Sequence, residues 1–405
     1  MAHLALSVAR RWAQAPLALR IAVIYLAARI VTTGFLIAAA TLSTSLSRFG
    51  AGAGLIDFVL GWDAQWYWLV AESGYPAELP VTDTGDVAEN AWAFMPVFAY
   101  AAKALGFVFG SWGAGAFLLS FVAGYLACLA LHRLLRDRIG VSAATWAVVF
   151  FAAGPLAAMF QVGYAETLFL LLLFLALDAM TRRQYAWLYV LIPVMAFTRP
   201  GILAFALYIG LHGIVRWVRR REDPLTGREI AHIVALGALA TATGFAWQLI
   251  AGIITGDPGA YLATELAWRR HWIAGGVEGF VPFEGWVQAS QFWFGLWGLP
   301  TWAGPVALAL LTVAAGAALL YLPQVRALGA DIRLWSASYL LYLLAVFFPQ
   351  SSTFRLLLPL SPTWGAVAVP RSRWWRGGVL TLCLVGQWAW IFPMYALGNT
   401  FWQVP

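Results

Sequence analysis

Between residues 18 and 395 the chain alternates long apolar runs with short polar breaks, and the runs are too long for strands. About twenty apolar residues are what a helix needs to cross a hydrocarbon layer. The runs fall at 18–45, 113–132, 142–160, 166–181, 184–198, 200–215, 231–254, 301–322, 334–349, 355–369 and 377–395. This pattern predicts an all-α polytopic membrane protein with about eleven transmembrane helices, in a range of about ten to thirteen. The ten-residue alternation of a membrane β-barrel is absent from the sequence. One further stretch, 94–110 (FMPVFAYAAKALGFVFG), is apolar enough to span. Counting it as a crossing would place the next arginine clusters on the wrong side, so it is expected to be an interfacial or re-entrant element.

Composition strengthens this picture. Apolar residues make up 62% of the 405 positions and charged residues 11%, against about 45–50% and 25% in soluble globular chains. The first apolar run, 21–45, is longer than a leader core and contains Arg29, so it is expected to be a retained helix. The two cysteines, Cys128 and Cys383, each lie inside an apolar run and are expected to be small core residues. The whole chain, 1–405, is expected to form one integral membrane domain.

The net charge of +7 does not point to nucleic acid, because no basic stripe or basic domain exists. Most basic residues instead sit in short clusters between apolar runs: Arg10, Arg11 and Arg20; Arg133, Arg136 and Arg138; Arg182 and Arg183; Arg216, Arg219, Arg220, Arg221 and Arg228; Arg326 and Arg333; Arg371, Arg373 and Arg376. Such clusters orient membrane helices with their basic ends in the cytoplasm. Asp63, the Gln161–Glu166 turn, Arg199 and the Gln350–Arg355 turn then fall at the opposite face. Two long segments, 46–112 and 255–300, become non-cytoplasmic loops, the first carrying interfacial helices.

The residues with chemical potential are charges that an apolar setting makes costly. Asp63 stands in GWDAQWYWLVAESGYP, boxed in by Trp62, Trp66, Tyr67 and Trp68. It reads as a general base at the mouth of a membrane-embedded cavity, with the aromatics shaping a sugar or lipid site. A helix cap in an aromatic belt is the plainer alternative. Gly163-Tyr164-Ala165-Glu166 sets Glu166 at a helix start, where capping alone would favour a carboxylate. Its place on the same face as Asp63 makes Gln161, Tyr164 and Glu166 candidates for binding an acceptor.

Arginines on the outer face, Arg199, Arg269, Arg270 and Arg355, run against the usual charge bias and suit a lipid phosphate. Pairing with Glu265, Glu278 or Glu284 is the alternative for Arg269 and Arg270. Arg29, inside the first span, must face the bundle interior, for structure or for function. His271 is a candidate acid, base or hydrogen-bond donor at the substrate. No Walker loop, HExxH, paired DxD or dinucleotide fingerprint is present. No cofactor is expected, and no tight carboxylate pair in the first loop supports a divalent metal.

The blocks WDAQWYWLVAESGY, FMP at 94–96, YAETLF at 164–169, TRPG at 198–201 and SSTFRLLLP at 351–359 resemble, in order, those of the PIG-V-like mannosyltransferases. The resemblance covers roughly residues 20–360, and its first block is the specific part. It departs at Phe94-Met95-Pro96, where two aromatics often precede the proline, and at Ala165, where serine is common. Members act on membrane anchors in eukaryotes and on envelope glycolipids in actinobacteria. The resemblance therefore implies a GT-C bundle in a bacterial plasma membrane, with its active site facing away from the cytoplasm. It further implies a polyprenyl-phosphate sugar donor, polyprenyl-phosphomannose first among them, and a glycolipid or lipid-anchored glycan acceptor, with Asp63 as the base.

The chemistry agrees with that implication. A lipid phosphate is already a stable leaving group, so one base and cations for the phosphate suffice, with inversion at the anomeric carbon. A glycosidase would want two carboxylates flanking the bond. Two rivals remain at this point: a flippase or transporter of lipids or lipid-linked sugars, which would place ionisable residues at mid-membrane depth, and a non-enzymatic scaffold of an envelope complex.

Overall fold

The computed structural model describes residues 14–270, 279–347, 351–400 and 403–405. Among these residues every named element is helical, apart from one isolated antiparallel bridge between Val81 and Val87. The longer helices are α1 (Leu17–Leu42), α2 (Asp63–Ser73), α3 (Pro96–Phe109), α4 (Trp112–Ala152), α5 (Glu166–Thr181), α6 (Leu188–Ala196) and α7 (Ile202–Val218). They are followed by α8 (Gly227–Thr255), α9 (Ala260–Ala267), α10 (Glu284–Leu296), α11 (Ala303–Tyr321), α12 (Ala330–Val346) and α13 (Arg373–Ile391).

Local chemistry sets many of the ends. Pro96 opens α3 at its first position, where a missing N–H costs nothing. Gly110 closes that helix in the left-handed region, and Ser111 caps α4 by accepting from the Ala114 amide at 3.2 Å. At α8 the Thr226 hydroxyl accepts from the Glu229 amide at 3.3 Å, while Glu229 accepts from the Thr226 amide at 3.0 Å.

Among the described residues five helices are long and apolar enough to cross a membrane: Leu17–Leu42, Trp112–Ala152, Gly227–Thr255, Ala303–Tyr321 and Arg373–Leu397. The chain is therefore a helical membrane protein, but the expected count of about eleven crossings is not reproduced by length. Helices do stand at the other expected places, and they are short. α5 has 16 residues, α6 has 9 with Pro193 inside it, and α7 and α12 have 17 each. The run expected at 355–369 breaks into Thr353–Leu356, a 3-10 segment Leu358–Thr363 and Trp364–Ala368. Pro359 and Pro362 remove the amide donors that a continuous helix would need there.

α4 is a hairpin in all but name. Gly140 has φ 80° and ψ 160°, outside helical geometry. The Thr145 hydroxyl lies 3.4 Å from His132 Nε2 across thirteen positions, a separation of ~20 Å along a straight helix. The chain thus turns back on itself at Gly140, and the arms 112–139 and 141–152 correspond to the two runs expected at 113–132 and 142–160. The stretch expected to be interfacial, 94–110, is α3, a 14-residue helix packed closely on α4.

Inside the bundle, Arg29 donates to the Ala152 and Ala157 carbonyls and lies over the Tyr25 and Phe160 rings, 5.1 Å and 4.7 Å from their centroids. It serves the carbonyl of the last residue of α4 and that of Ala157, which opens the following 3-10 turn. Cys128 and Cys383 are buried free thiols.

The charged residues separate to two poles, and α5 joins them over ~24 Å. At its C-terminal pole Asp178 accepts from Arg133 at 2.9 Å and from Arg182 at 2.8 Å. Asp331 there meets His212 at 2.7 Å, and Glu229 meets Arg216 at 3.2 Å. At the N-terminal pole stand Asp63, Glu166, Arg199 and Arg355.

Candidate functional site

Asp63 is the first residue of α2, and the residue before it is strained. Trp62 has φ 55° and ψ −124°, a region that an aromatic residue enters only at a cost. Its indole is tied down on the far side, with Nε1 donating to the Met394 carbonyl at 3.2 Å and Arg48 stacked at 4.3 Å. This anchor forces the abrupt turn that starts α2 and aims the Asp63 carboxylate inward. The Asp63 amide donates to the Tyr164 hydroxyl at 3.4 Å.

Glu166 starts α5, after a turn pinned by the Ser120 hydroxyl on the Val162 carbonyl (2.8 Å) and the Gly163 amide on the Val59 carbonyl (3.0 Å). Its side chain is only 4% exposed. Arg199 lies where α6 stops before Pro200, and Gly201 (φ 134°) lets α7 begin in a new direction. Arg355 comes from the short helix Thr353–Leu356 and is buried over the Tyr164 ring, 5.1 Å from its centroid.

These four side chains form an alternating chain of charge. Arg355 Nη1 donates to Asp63 Oδ2. Glu166 Oε1 lies 3.3 Å from Arg355 Nε and 3.4 Å from Arg199 Nε. Arg355 Nε is buried without a hydrogen-bond partner despite that close carboxylate. Two carboxylates and two guanidinium cations thus sit together in a low-dielectric setting, where leaving either sign unpaired is costly.

The cluster faces a cavity of about 140 Å³ lined by Asp63, Tyr67, Phe94, Glu166, Arg199, Glu265, Trp268, Arg269, Ser352 and Arg355, among others. Through Pro200, Glu265, Arg269 and Phe347 it adjoins a larger cavity of about 330 Å³, whose walls are mostly apolar side chains of α7, α8 and α9. Both Asp63 and Glu265 stand outside the five crossing helices. Burial pushes the Asp63 carboxyl above its ordinary range; the Arg355 guanidinium opposes this and neighbouring Glu166 adds to it. Burial also pushes Glu265 up, against a hydrogen bond from Tyr261 and the charge of Arg269.

Of the residues singled out in the sequence, Asp63, Tyr67, Glu166, Arg199, Arg269 and Arg355 share this one cavity. Tyr164 lies beneath Arg355. Trp66 is one layer behind the wall, stacked on Phe94 at 5.6 Å and edge-on to Trp268. The other candidates lie elsewhere. Trp62 points away, as above. Gln161 donates to the Thr33 hydroxyl at 2.7 Å, and Arg270 to the Val87 carbonyl at 2.9 Å. His271 and Glu278 lie outside the described residues. Arg269 donates to the Val346 carbonyl at 2.5 Å from the turn just past the end of α9, four residues after Glu265. Glu265, Trp268 and Ser352 were not expected in the wall. The spacing of Tyr261 and Glu265 on α9, with Arg269 four residues further on and just past its end, is the signal that could have found the first of them.

The arrangement can bind an anion between Arg199, Arg269 and Arg355 and offers a carboxylate beside it. Among the described residues no group of three or more His, Cys, Asp or Glu side chains is placed to hold a metal ion.

No family model matches the sequence, and no curated protein does. Among solved structures the chain is similar to the oligosaccharyltransferase of Archaeoglobus fulgidus. For its complex with zinc and sulfate the identity is 15% and the TM-score 0.45, over 91% of this chain and 53% of that one. For its complex with an inhibitory peptide and a dolichol-phosphate the values are 14% and 0.37, over 92% and 56%. The chain spans about half the length of these structures. At these scores the likeness is too loose to carry an activity across.

Proposed function

We propose that the protein is an inverting GT-C-type glycosyltransferase that takes a sugar, mannose by the motif resemblance, from a polyprenyl phosphate to a glycolipid or lipid-anchored glycan. The observation that carries the reading is the charged cavity of Asp63, Glu166, Arg199 and Arg355 set against a larger apolar one. A substrate with a charged head and an isoprenoid tail matches that division.

In the reaction the acceptor hydroxyl gives its proton to Asp63 as its oxygen bonds to the anomeric carbon from the face opposite the phosphate. The bond between that carbon and the phosphate oxygen breaks, and its electron pair leaves on the polyprenyl phosphate. Arg355 and Arg199 stabilise the charge that develops there. The arginine clusters at the pole of Arg133, Arg182 and Arg216 support a cytoplasmic position for that end and an outward-facing cavity. A flippase would use ionisable groups at mid-depth, whereas Arg29 is engaged with the Ala152 and Ala157 carbonyls.

The test is transfer of labelled mannose from a polyprenyl-phosphomannose by the purified protein to lipids of its own membrane. Asp63→Asn is expected to lower the rate by about 10²–10⁴-fold with the fold retained. A wild-type rate in that variant, or no transfer by the wild type with donor and acceptor both present, overturns the reading.

A further inference from the structure

Asp63 is not free to act as the structure stands, because Arg355 already holds its carboxylate. Arg355 is at the same time incompletely bonded: its Nε is buried, 3.3 Å from Glu166, with no hydrogen-bond partner. The guanidinium is therefore anchored electrostatically at its Nε edge and committed to the base at its far end. Its other face covers Tyr164, and both Arg355 and Asp63 open on the cavity. An anion that takes Arg355 Nη1 from the cavity must displace Asp63 from it.

We propose that the Asp63–Arg355 pair is a latch, opened when the phosphate of the donor takes Arg355. The proposal rests on the transferase reading and deepens it, by fixing the order in which substrates act. Before the donor arrives, the base is neutralised by its guanidinium partner and the site is idle. The phosphate draws the Nη end of Arg355 and also meets Arg199, while Glu166 keeps hold of both Nε edges. Glu166 is thus a positioning residue, the pivot about which Arg355 changes partner. Asp63 is left facing Glu166 with its cation gone, which raises its affinity for a proton. The base becomes competent only beside a bound donor, so donor binding precedes productive binding of the acceptor. No covalent change occurs in this step; one ion pair is exchanged for another.

The test uses the intact protein in detergent, with farnesyl phosphate as probe and binding followed by calorimetry. If Asp63 and the phosphate compete for Arg355, Asp63→Asn binds the probe about tenfold more tightly than wild type, the worth of one charge-assisted hydrogen bond. Equal or weaker binding by Asp63→Asn overturns the latch. A second measurement needs no variant: infrared difference spectra of protein carrying ¹³C-aspartate, with and without the probe. An aspartate carboxylate band that shifts on binding supports the exchange, and an unchanged aspartate region overturns it. The two readings separate cleanly. Transfer lost in Asp63→Asn at unchanged probe affinity sinks the latch and leaves the transferase. Tighter probe binding with transfer intact leaves the competition for Arg355 standing but removes Asp63 as the base, and overturns the latch as a control of substrate order.

Discussion

Asp63 sits between two opposed influences, and their balance sets the pH at which it can work. Burial and the neighbouring Glu166 favour its protonated form, while Arg355 favours the carboxylate. The net displacement is upward from the ordinary aspartate value of about 3.9. On the proposed role of Asp63 as the base, which is active only when deprotonated, kcat/KM is expected to fall as pH falls through this raised value. Its acid limb is expected at higher pH than a solvated aspartate would give. Arg355→Gln removes the opposing charge and is expected to push the limb of kcat/KM higher still. If the donor phosphate draws Arg355 away from Asp63 as proposed, the wild-type limb of kcat, which reports the complex with donor bound, should also lie above that of kcat/KM. Rate profiles on both proteins measure this. A limb unmoved or lowered in Arg355→Gln would mean that Arg355 does not control Asp63.

Helix packing rests on similarly close margins, clearest where α3 meets α4. A Cβ on Gly115 would lie 2.1 Å from the Ala102 carbonyl oxygen and 2.5 Å from the Gly106 amide nitrogen. Those neighbours are backbone and cannot rotate aside, so the helices touch at a spacing only glycine permits. Gly115→Ala is expected to cost about 1–3 kcal/mol, the usual range for overpacking. Thermal unfolding in detergent reads this as a lowered midpoint, and an unchanged midpoint would show that α3 and α4 can separate freely. The contact was not legible in the sequence, where Gly115 looks like any glycine of an apolar run. What was legible were features with a one-dimensional signature. The arginines at 133–138 divide α4 into two arms without knowledge of Gly140's geometry, and the isolated charges Asp63, Glu166, Arg199 and Arg355 stand out against apolar surroundings. Trp62 and Trp66 look alike in sequence, and only the backbone at Trp62 separates an anchor from a second layer of the wall. Glu265 was missed as a wall residue because its charge reads in sequence as a partner for Arg269, and only the packing of α9 on α8 brings it to the cavity.

At the scale of the whole molecule, the two poles make a claim about direction across the membrane. One pole holds the lattice of Arg133, Arg182, Arg216, Asp178 and Asp331 and the loop between α7 and α8. The other holds the cavity and the 76–92 segment, tied to α8 and α9 by Trp247 Nε1 on the Trp92 carbonyl (2.9 Å) and by Asn90 on Thr264 (2.9 Å). Arginine-rich ends are retained in the cytoplasm, which would put the cavity outside, where a lipid-linked donor used after translocation would meet it. The native cysteines are buried and give little labelling background, so single introduced cysteines can report sides. Asp83 and Glu222 are exposed, one at each pole. In intact cells a membrane-impermeant maleimide is expected to label Asp83→Cys at once, and Glu222→Cys only after permeabilisation. The reverse pattern would turn the cavity toward the cytoplasm. The donor would then have to be used on the leaflet where nucleotide sugars are at hand, and a lipid-phosphate carrier would lose its physical rationale.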